Sequence, residues 1–243
     1  VYAVWLREVK RFTNSKARIF GSLGMPILFL VALGSGFSAM MPGFNYQEFI
    51  LPGILAMTVM FTSIFAGVSI IWDREFGFLK EMLAAPTSRE TIVMGRILGG
   101  ATTAIFQGLL MFVLGIFFTG IGIPSIAEIA GIIALMTIFS CYLVALGITL
   151  ASLVQEVETF QLFMNFLIMP TFFLSNALFP LDQMPGWMQA ISTLNPMSYA
   201  VDGLRAFILG TSQFSLAYDF GVSIAVFAVA FATASFFFNR TSI

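Results

Sequence analysis

An all-helical integral membrane protein is the fold class this sequence predicts, and three observations carry the prediction. Of 243 residues, 59% are hydrophobic and 9% charged, with a mean hydropathy of +0.97. A soluble surface carries about 25% charged residues, so it cannot be built from this inventory. The charges are also spaced so as to leave six uncharged runs of 20 to 31 residues. Each is long enough for the ~20 residues a helix needs to cross ~30 Å of hydrocarbon. Finally, ten of the eleven basic residues fall in alternate connecting segments, as a fixed orientation requires.

The elements follow in order. Residues 1–18 predict an interfacial helix, with Tyr2, Trp5, Val9 and Phe12 on one face and Arg7, Lys10, Arg11 and Asn14 on the other. A basic flank that merely sets topology is the plainer reading. The chain begins at Val1, which reads as a trimmed start, and no small-residue cleavage site follows. Transmembrane helices are expected at 19–41, 49–72, 97–120, 126–154, 159–179 and 220–238. The uncharged run 183–201 is broken by Pro185, Gly186, Asn195 and Pro196, and so predicts two short helices dipping into the membrane from outside. Asn195 reads as a helix N-cap with Pro196 in the first turn, and Gly210 as the stop. With six spans, Arg7, Lys10, Arg11, Lys16, Arg18, Arg74, Lys80, Arg89, Arg96 and Arg240 share one side, and Arg205 stands opposite. The positive-inside rule makes the first side cytoplasmic, with both termini there.

Between the second and third spans, residues 72–96 hold eight of the 23 charged residues. A helix–helix connection commonly needs 2–8 residues, so this one is oversized. Asp73 to Glu81 mixes charge with Phe76, Phe78, Leu79, Met82 and Leu83, which suits a short amphipathic helix. Ala84-Ala85-Pro86 breaks it, and Thr87 with Glu90 has capping-box spacing for the next helix. The segment reads as a docking surface or, more blandly, as a solvated loop. In span five, Gln161, Asn165, Met169, Phe172 and Asn176 form one stripe. Amides are costly against lipid tails, so this stripe faces protein or water. Span three carries Gly100, Ala104 and Gly108 at four-residue spacing, which lets another helix approach. Arg205 is placed to pair with Asp202 or Asp182.

Several chemistries are excluded. A P-loop needs Gly-Lys-Ser/Thr, and the three lysines follow Val9, Ser15 and Leu79. There is no histidine and one cysteine, Cys141, so a His-based catalytic pair and an internal disulfide are both impossible. No charged residue sits at mid-depth in an expected span, where an ion-coupled carrier usually needs one. A net charge of −1 points away from nucleic acid. What remains is a channel, a scaffold, or the membrane half of a machine powered elsewhere.

Three stretches resemble a known family, the permease subunits of ABC-2 type exporters, which include daunorubicin-resistance and nodulation-factor permeases. They are Arg74-Glu75-x-Gly77 running to Ala85-Pro86-Thr87; the run from Leu178-Phe179-Pro180 through Met184-Pro185-x-Trp187 and Asn195-Pro196-Met197-Ser198-Tyr199 to Gly203-Leu204-Arg205; and the basic N-terminus. The resemblance spans essentially the whole chain, and implies one transmembrane domain over 1–243. It implies an interfacial helix at 1–18, a coupling helix within 73–96, and external helices within 181–210. It implies a homodimer or heterodimer of permeases in an inner membrane, working on two copies of a separate ABC ATPase. That partner would bind ATP and Mg, and this chain would bind no cofactor or metal and catalyse nothing. Arg74, Glu75, Gly77 and Glu81 become ATPase-coupling positions. The stripe from Gln161 to Asn176 becomes a translocation pathway beside the dimer axis. Asp182, Asn195, Pro196 and Arg205 become an external gate. The implied cargo is a hydrophobic or amphipathic drug or lipid, or alternatively a polysaccharide or lipo-oligosaccharide.

Overall fold

A computed structural model describes residues 1–40, 43–84 and 86–240, without the side chains of Ala17, Arg18 and Leu83. Met41, where the first expected span ends, and Ala85, in the expected break, lie outside the described residues, as do the side chains of Arg18 and Leu83. The described residues form eleven α-helices, one 3-10 turn and no strand. In chain order the helices are α1 (Tyr2–Thr13), α2 (Lys16–Met40), α3 (Tyr46–Ala66), α4 (Val68–Glu75), α5 (Phe78–Ala84), α6 (Arg89–Thr119), α7 (Ile126–Leu153) and α8 (Val157–Phe173). After the 3-10 turn at Leu181–Gln183 come α9 (Gly186–Leu194), α10 (Pro196–Leu209) and α11 (Leu216–Arg240).

Five stretches are long and apolar enough to cross a membrane: Ile19–Met40, Tyr46–Glu75, Arg89–Thr119, Ile126–Leu153 and Leu216–Arg240. The fifth expected span, 159–179, is different. Its helix, α8, has 17 residues and stops at Phe173. At 1.5 Å per residue it is about 25 Å long, short of the ~30 Å of hydrocarbon. Beyond it, Ser175 to Leu178 turn irregularly but are fully buried. Non-helical backbone at membrane depth is tolerated only where protein covers it. Here α3 does so: the Tyr46 hydroxyl donates to the Leu178 carbonyl at 2.7 Å, and Gly53 lets Ala177 come so near that a Cβ would stand 2.6 Å from its oxygen.

α3 is the hub, buried over most of its length among α2, α6, α7 and α10. Small residues set its spacing. On α6, a Cβ on Gly100 would meet Ala66 and Val144 at 2.9 Å, and one on Gly108 would meet Met136 and Val59. Ala104 between them is fully buried. The stripe therefore packs against α3 and α7. A tighter crossing, missed by spacing alone, joins Gly67 at the α3–α4 junction to Gly147 on α7. A Cβ on Gly147 would stand 2.5 Å from the Ile64 carbonyl oxygen, and one on Gly67 equally near the Gly147 backbone. Backbone cannot yield as a flexible side chain can. Gly147→Ala is therefore expected to cost ~1–3 kcal/mol or more, the range for overpacking. Gly24→Ala, whose Cβ meets nothing within 4 Å, should leave the melting temperature in detergent unchanged. Equal melting temperatures for the two variants would refute the crossing.

α1 departs from its expected face. Trp5 and Phe12 do pack inward, Trp5 Nε1 donating to Thr102 Oγ1 at 3.0 Å and Phe12 meeting Phe106 edge-on. Tyr2 is instead exposed, and Glu8 is buried. The cause is α6, where Gly95 and Gly99 leave a groove that takes Val4 and the Glu8 stem. The next cap also shifts by one residue. Ser88, not Thr87, caps α6, accepting from the Thr91 amide at 3.3 Å, with the two hydroxyls 2.8 Å apart.

Candidate functional site

One end of the bundle gathers α1, the α4–α6 turn, the α7–α8 turn and the end of α11. Its centre is a buried charge cluster. Asp73, at the foot of α4, takes two bonds from Arg7 of α1, one of them at 2.9 Å, and one from Arg96 of α6 at 2.5 Å. Arg96 also donates to Ser69 at 3.0 Å and lies 3.7 Å from the Glu8 carboxylate. The Asp73 carboxylate holds the Arg7 guanidinium above its ordinary range, chiefly through their hydrogen bond. Arg7 in turn lies 4.1 Å over the Phe78 ring of α5, a cation–π contact. Three helices thus meet at one carboxylate, and α5 hangs from the junction. The sequence reading did not pair Asp73 with Arg96. The signal available was their pairing of opposite charges at facing ends of successive spans.

α5 is oriented by this anchor. Gly77 turns the chain with φ +75°, a conformation that glycine adopts without a Cβ clash. Leu79 is buried, and Met82 packs on the core while touching the Arg96 guanidinium. Glu75, Phe76, Lys80 and Glu81 face outward, Phe76 with 79% of its surface exposed. Phe76 thus stands as an exposed aromatic ring among three exposed charged residues. Arg74 is placed otherwise. It reaches across to the end of α7, donating to the Val154 carbonyl at 2.9 Å and the Ala151 carbonyl at 3.3 Å. It satisfies carbonyls at the end of that helix and ties the end of α4 to the turn that begins α8. Arg89 does the same for α11, donating to the Asn239 carbonyl at 2.7 Å.

The α8 stripe divides. Gln161, Asn165 and Met169 are exposed, whereas Phe172 is buried and Asn176 lies in the covered turn beyond the helix. The buried edge of α8 is Phe160, Met164, Ile168 and Phe172, at four-residue spacing. Val157, Thr159 and Thr171 are half-buried, and the rest of α8 is exposed, including Leu162, Phe163 and Phe166.

At the opposite end, Asn195 caps α10. Its oxygen accepts from the Met197 amide at 3.0 Å, and its nitrogen donates to Thr171 of α8 at 2.7 Å. Pro196 follows in the first turn and Gly210 closes the helix with φ +69°. The expected Arg205 ion pair does not form among the described residues. Asp202 is instead consumed by the amides of Gln213 and Phe214 at 2.9 to 3.0 Å, and Asp182 is exposed beside Gln213. Arg205 is buried, donates to the Asn176 carbonyl at 2.8 Å, and lies 4.4 Å over the Phe49 ring. It therefore joins α10 to the α8 turn and α3 rather than forming a surface pair. The loop after Gly210 folds back onto Asp202, which i,i+3 spacing could not foretell.

Comparison with known proteins gives a family and several relatives. The family description for ABC-2 type transporters matches residues 1–209. The ycf38 transport permease of Cyanophora paradoxa is 32% identical over 192 residues, 74% of this chain, which spans 64% of that relative's length. The inner membrane transport permease YadH of Escherichia coli K12 is 28% identical over 237 residues, 94% of this chain and 90% of its own. Nodulation protein J of Rhizobium leguminosarum is 26% identical over 253 residues, 98% of this chain and 93% of its own.

Proposed function

The chain belongs to the ABC-2 type transporter family, and on that premise we propose that it is the permease subunit of an ATP-driven exporter. It moves hydrophobic or amphipathic solutes, drugs or lipids, outward across a cytoplasmic membrane. The observation that carries this reading is the exposed face of Glu75, Phe76, Lys80 and Glu81, hung from a buried charge junction that three other helices share. A solvated loop would need no such anchor. The partner is a separate ABC ATPase in two copies, which binds ATP and Mg, and Glu75, Gly77 and Glu81 meet it. Arg74 passes the motion to α7 and α8. Both termini are cytoplasmic. α8 and its buried turn form the fifth of six spans, and the segment 181–210 forms the external gate, with Asp182, Asn195, Pro196 and Arg205 in it.

The uncovered amides of α8 support a dimer whose axis runs beside that helix, with Gln161 and Asn165 facing an aqueous path. A water-soluble thiol reagent tests this in a Cys141→Ala background. Asn165 and Phe163 are both exposed in the single chain but stand about 200° apart around the helix. Asn165→Cys should label at least about tenfold faster than Phe163→Cys, because a thiol reacts as the thiolate and ionises poorly among apolar neighbours. Equal or reversed rates would remove α8 from the path. Efflux from vesicles holding permease and ATPase tests the wider reading: transport of amphipathic drugs or lipids, dependent on ATP, is expected. Transport of glycans alone would replace the cargo, and solute flux without ATP would replace the exporter by a channel.

A further inference from the structure

The end of the bundle opposite the charge junction holds two neighbouring buried carboxylates, and the fold serves only one of them. Asp202 of α10 is fully buried and accepts from the backbone amides of Gln213 and Phe214 at 2.9 to 3.0 Å. Asp219, in the first turn of α11, is also fully buried, and among the described residues neither of its oxygens has a hydrogen-bond partner. It fits there because α10 presents Gly203, where a Cβ would stand 3.5 Å from Asp219 Oδ2 and 2.6 Å from Leu135 of α7. Ser223, one turn further along α11, is as deeply buried, and its hydroxyl is likewise unpartnered. The ionisable groups around Asp219 are Asp202 and Tyr199 of α10 and the adjacent Tyr218, while α7 meets it with the apolar Leu135. The Tyr199 hydroxyl donates away from it, to the Thr193 carbonyl. Arg205 is turned to the Asn176 carbonyl and the Phe49 ring, and among the described residues no ion pair reaches either carboxylate.

An ionised carboxylate buried without a partner is so costly that the group takes up a proton instead. The neighbouring Asp202 raises that cost, since amide donors favour the charged form of Asp202 and like charges close together resist joint ionisation. We propose that Asp219 is a proton-binding site, occupied while α10 and α11 are packed together and emptied when they part. The neutral acid has one hydrogen bond to donate, and the Ser223 hydroxyl offers an acceptor at the i,i+4 position of the same helix face. A metal cation fits less well. Hard cations take about six or more oxygens, whereas the unpartnered ones here belong to Asp219 and Ser223, and the amides around Asp202 repel a cation. The described residues hold no cluster of three metal-ligating side chains. The site rests on the burial of Asp219; only the statement that its proton leaves to the outside, through the external gate, rests on the exporter reading.

Infrared spectra of the full chain in detergent test the site directly. At about pH 7 an ordinary aspartate is ionised. The parent should nonetheless show the carbonyl stretch of a protonated carboxylic acid, shifted by an isotope label in the aspartate carboxyls and missing from Asp219→Asn. Melting gives a second readout. In the unfolded chain Asp219 loses its proton near the usual carboxylate range, about pH 4. The packed state then binds one proton more than the unfolded state, so stability falls as pH rises from there until the packed Asp219 itself ionises. Within that window the unfolding constant of the parent, relative to Asp219→Asn, should rise about tenfold per pH unit. Asparagine imitates the neutral acid, so the variant should melt at or above the parent at about pH 7. Absence of the acid band from the parent, a measurement that needs no variant, would overturn the proposal. So would a gap between parent and variant that does not change with pH. Stabilisation of the parent by sodium, lost in Asp219→Asn, would replace the proton by a metal cation and overturn it equally. None of these measurements involves transport or the ATPase, so failure of the exporter reading leaves them intact.

Discussion

Asp73→Ala is expected to destabilise the protein by ~3–5 kcal/mol, the usual result of removing one partner from a buried ion pair. Asp73 is the carboxylate that accepts hydrogen bonds from both Arg7 of α1 and Arg96 of α6, and Arg96 is 2% exposed. Without it, Arg96 keeps the Ser69 hydroxyl and the more distant Glu8, too little to offset a buried charge. The melting temperature in detergent should fall steeply, and α1 should become accessible to protease as its anchor is lost. Glu81→Ala, on the outward face of α5, should stay within ~0.5 kcal/mol, as surface changes do. An Asp73→Ala protein that melts like the parent would mean that the junction is incidental.

The second large effect is functional. Reversing Glu75 and Glu81 together to lysine should leave folding intact, since both are exposed. Transport should nonetheless fall at least about tenfold, because like charges set against a complementary face cost several kcal/mol of association. Efflux from vesicles reads the outcome. Unchanged transport would place docking elsewhere on this end of the bundle.

The helical class, the long spans and the caps at Asn195 and Gly210 were legible because hydropathy and capping act locally. What escaped was tertiary. The Gly67–Gly147 crossing depends on two residues 80 apart in sequence, and nothing near either glycine marks it. Thr87 and Ser88 both carry a hydroxyl, and only the helix direction selects Ser88. The end of α8 was hidden because the residues after Phe173 remain uncharged. They turn there because Gly53 and Tyr46 of α3 receive them. Arg205 was assigned an ion pair from spacing, but Asp202 had backbone amides nearer to hand. Between α4 and α6 the sequence marked where charge was concentrated. It could not separate Arg74, which holds α7, from Glu75 and Glu81, which face outward.

The central claim is that the exposed face of α4 and α5 docks a separate ATPase. Affinity purification of the chain, expressed together with the P-loop protein encoded beside it, tests this most directly. The parent chain should recover that protein in equal molar amount, and the Glu75→Lys, Glu81→Lys variant should recover almost none while melting like the parent. Recovery of no P-loop protein by the parent, or equal recovery by both, would contradict the account.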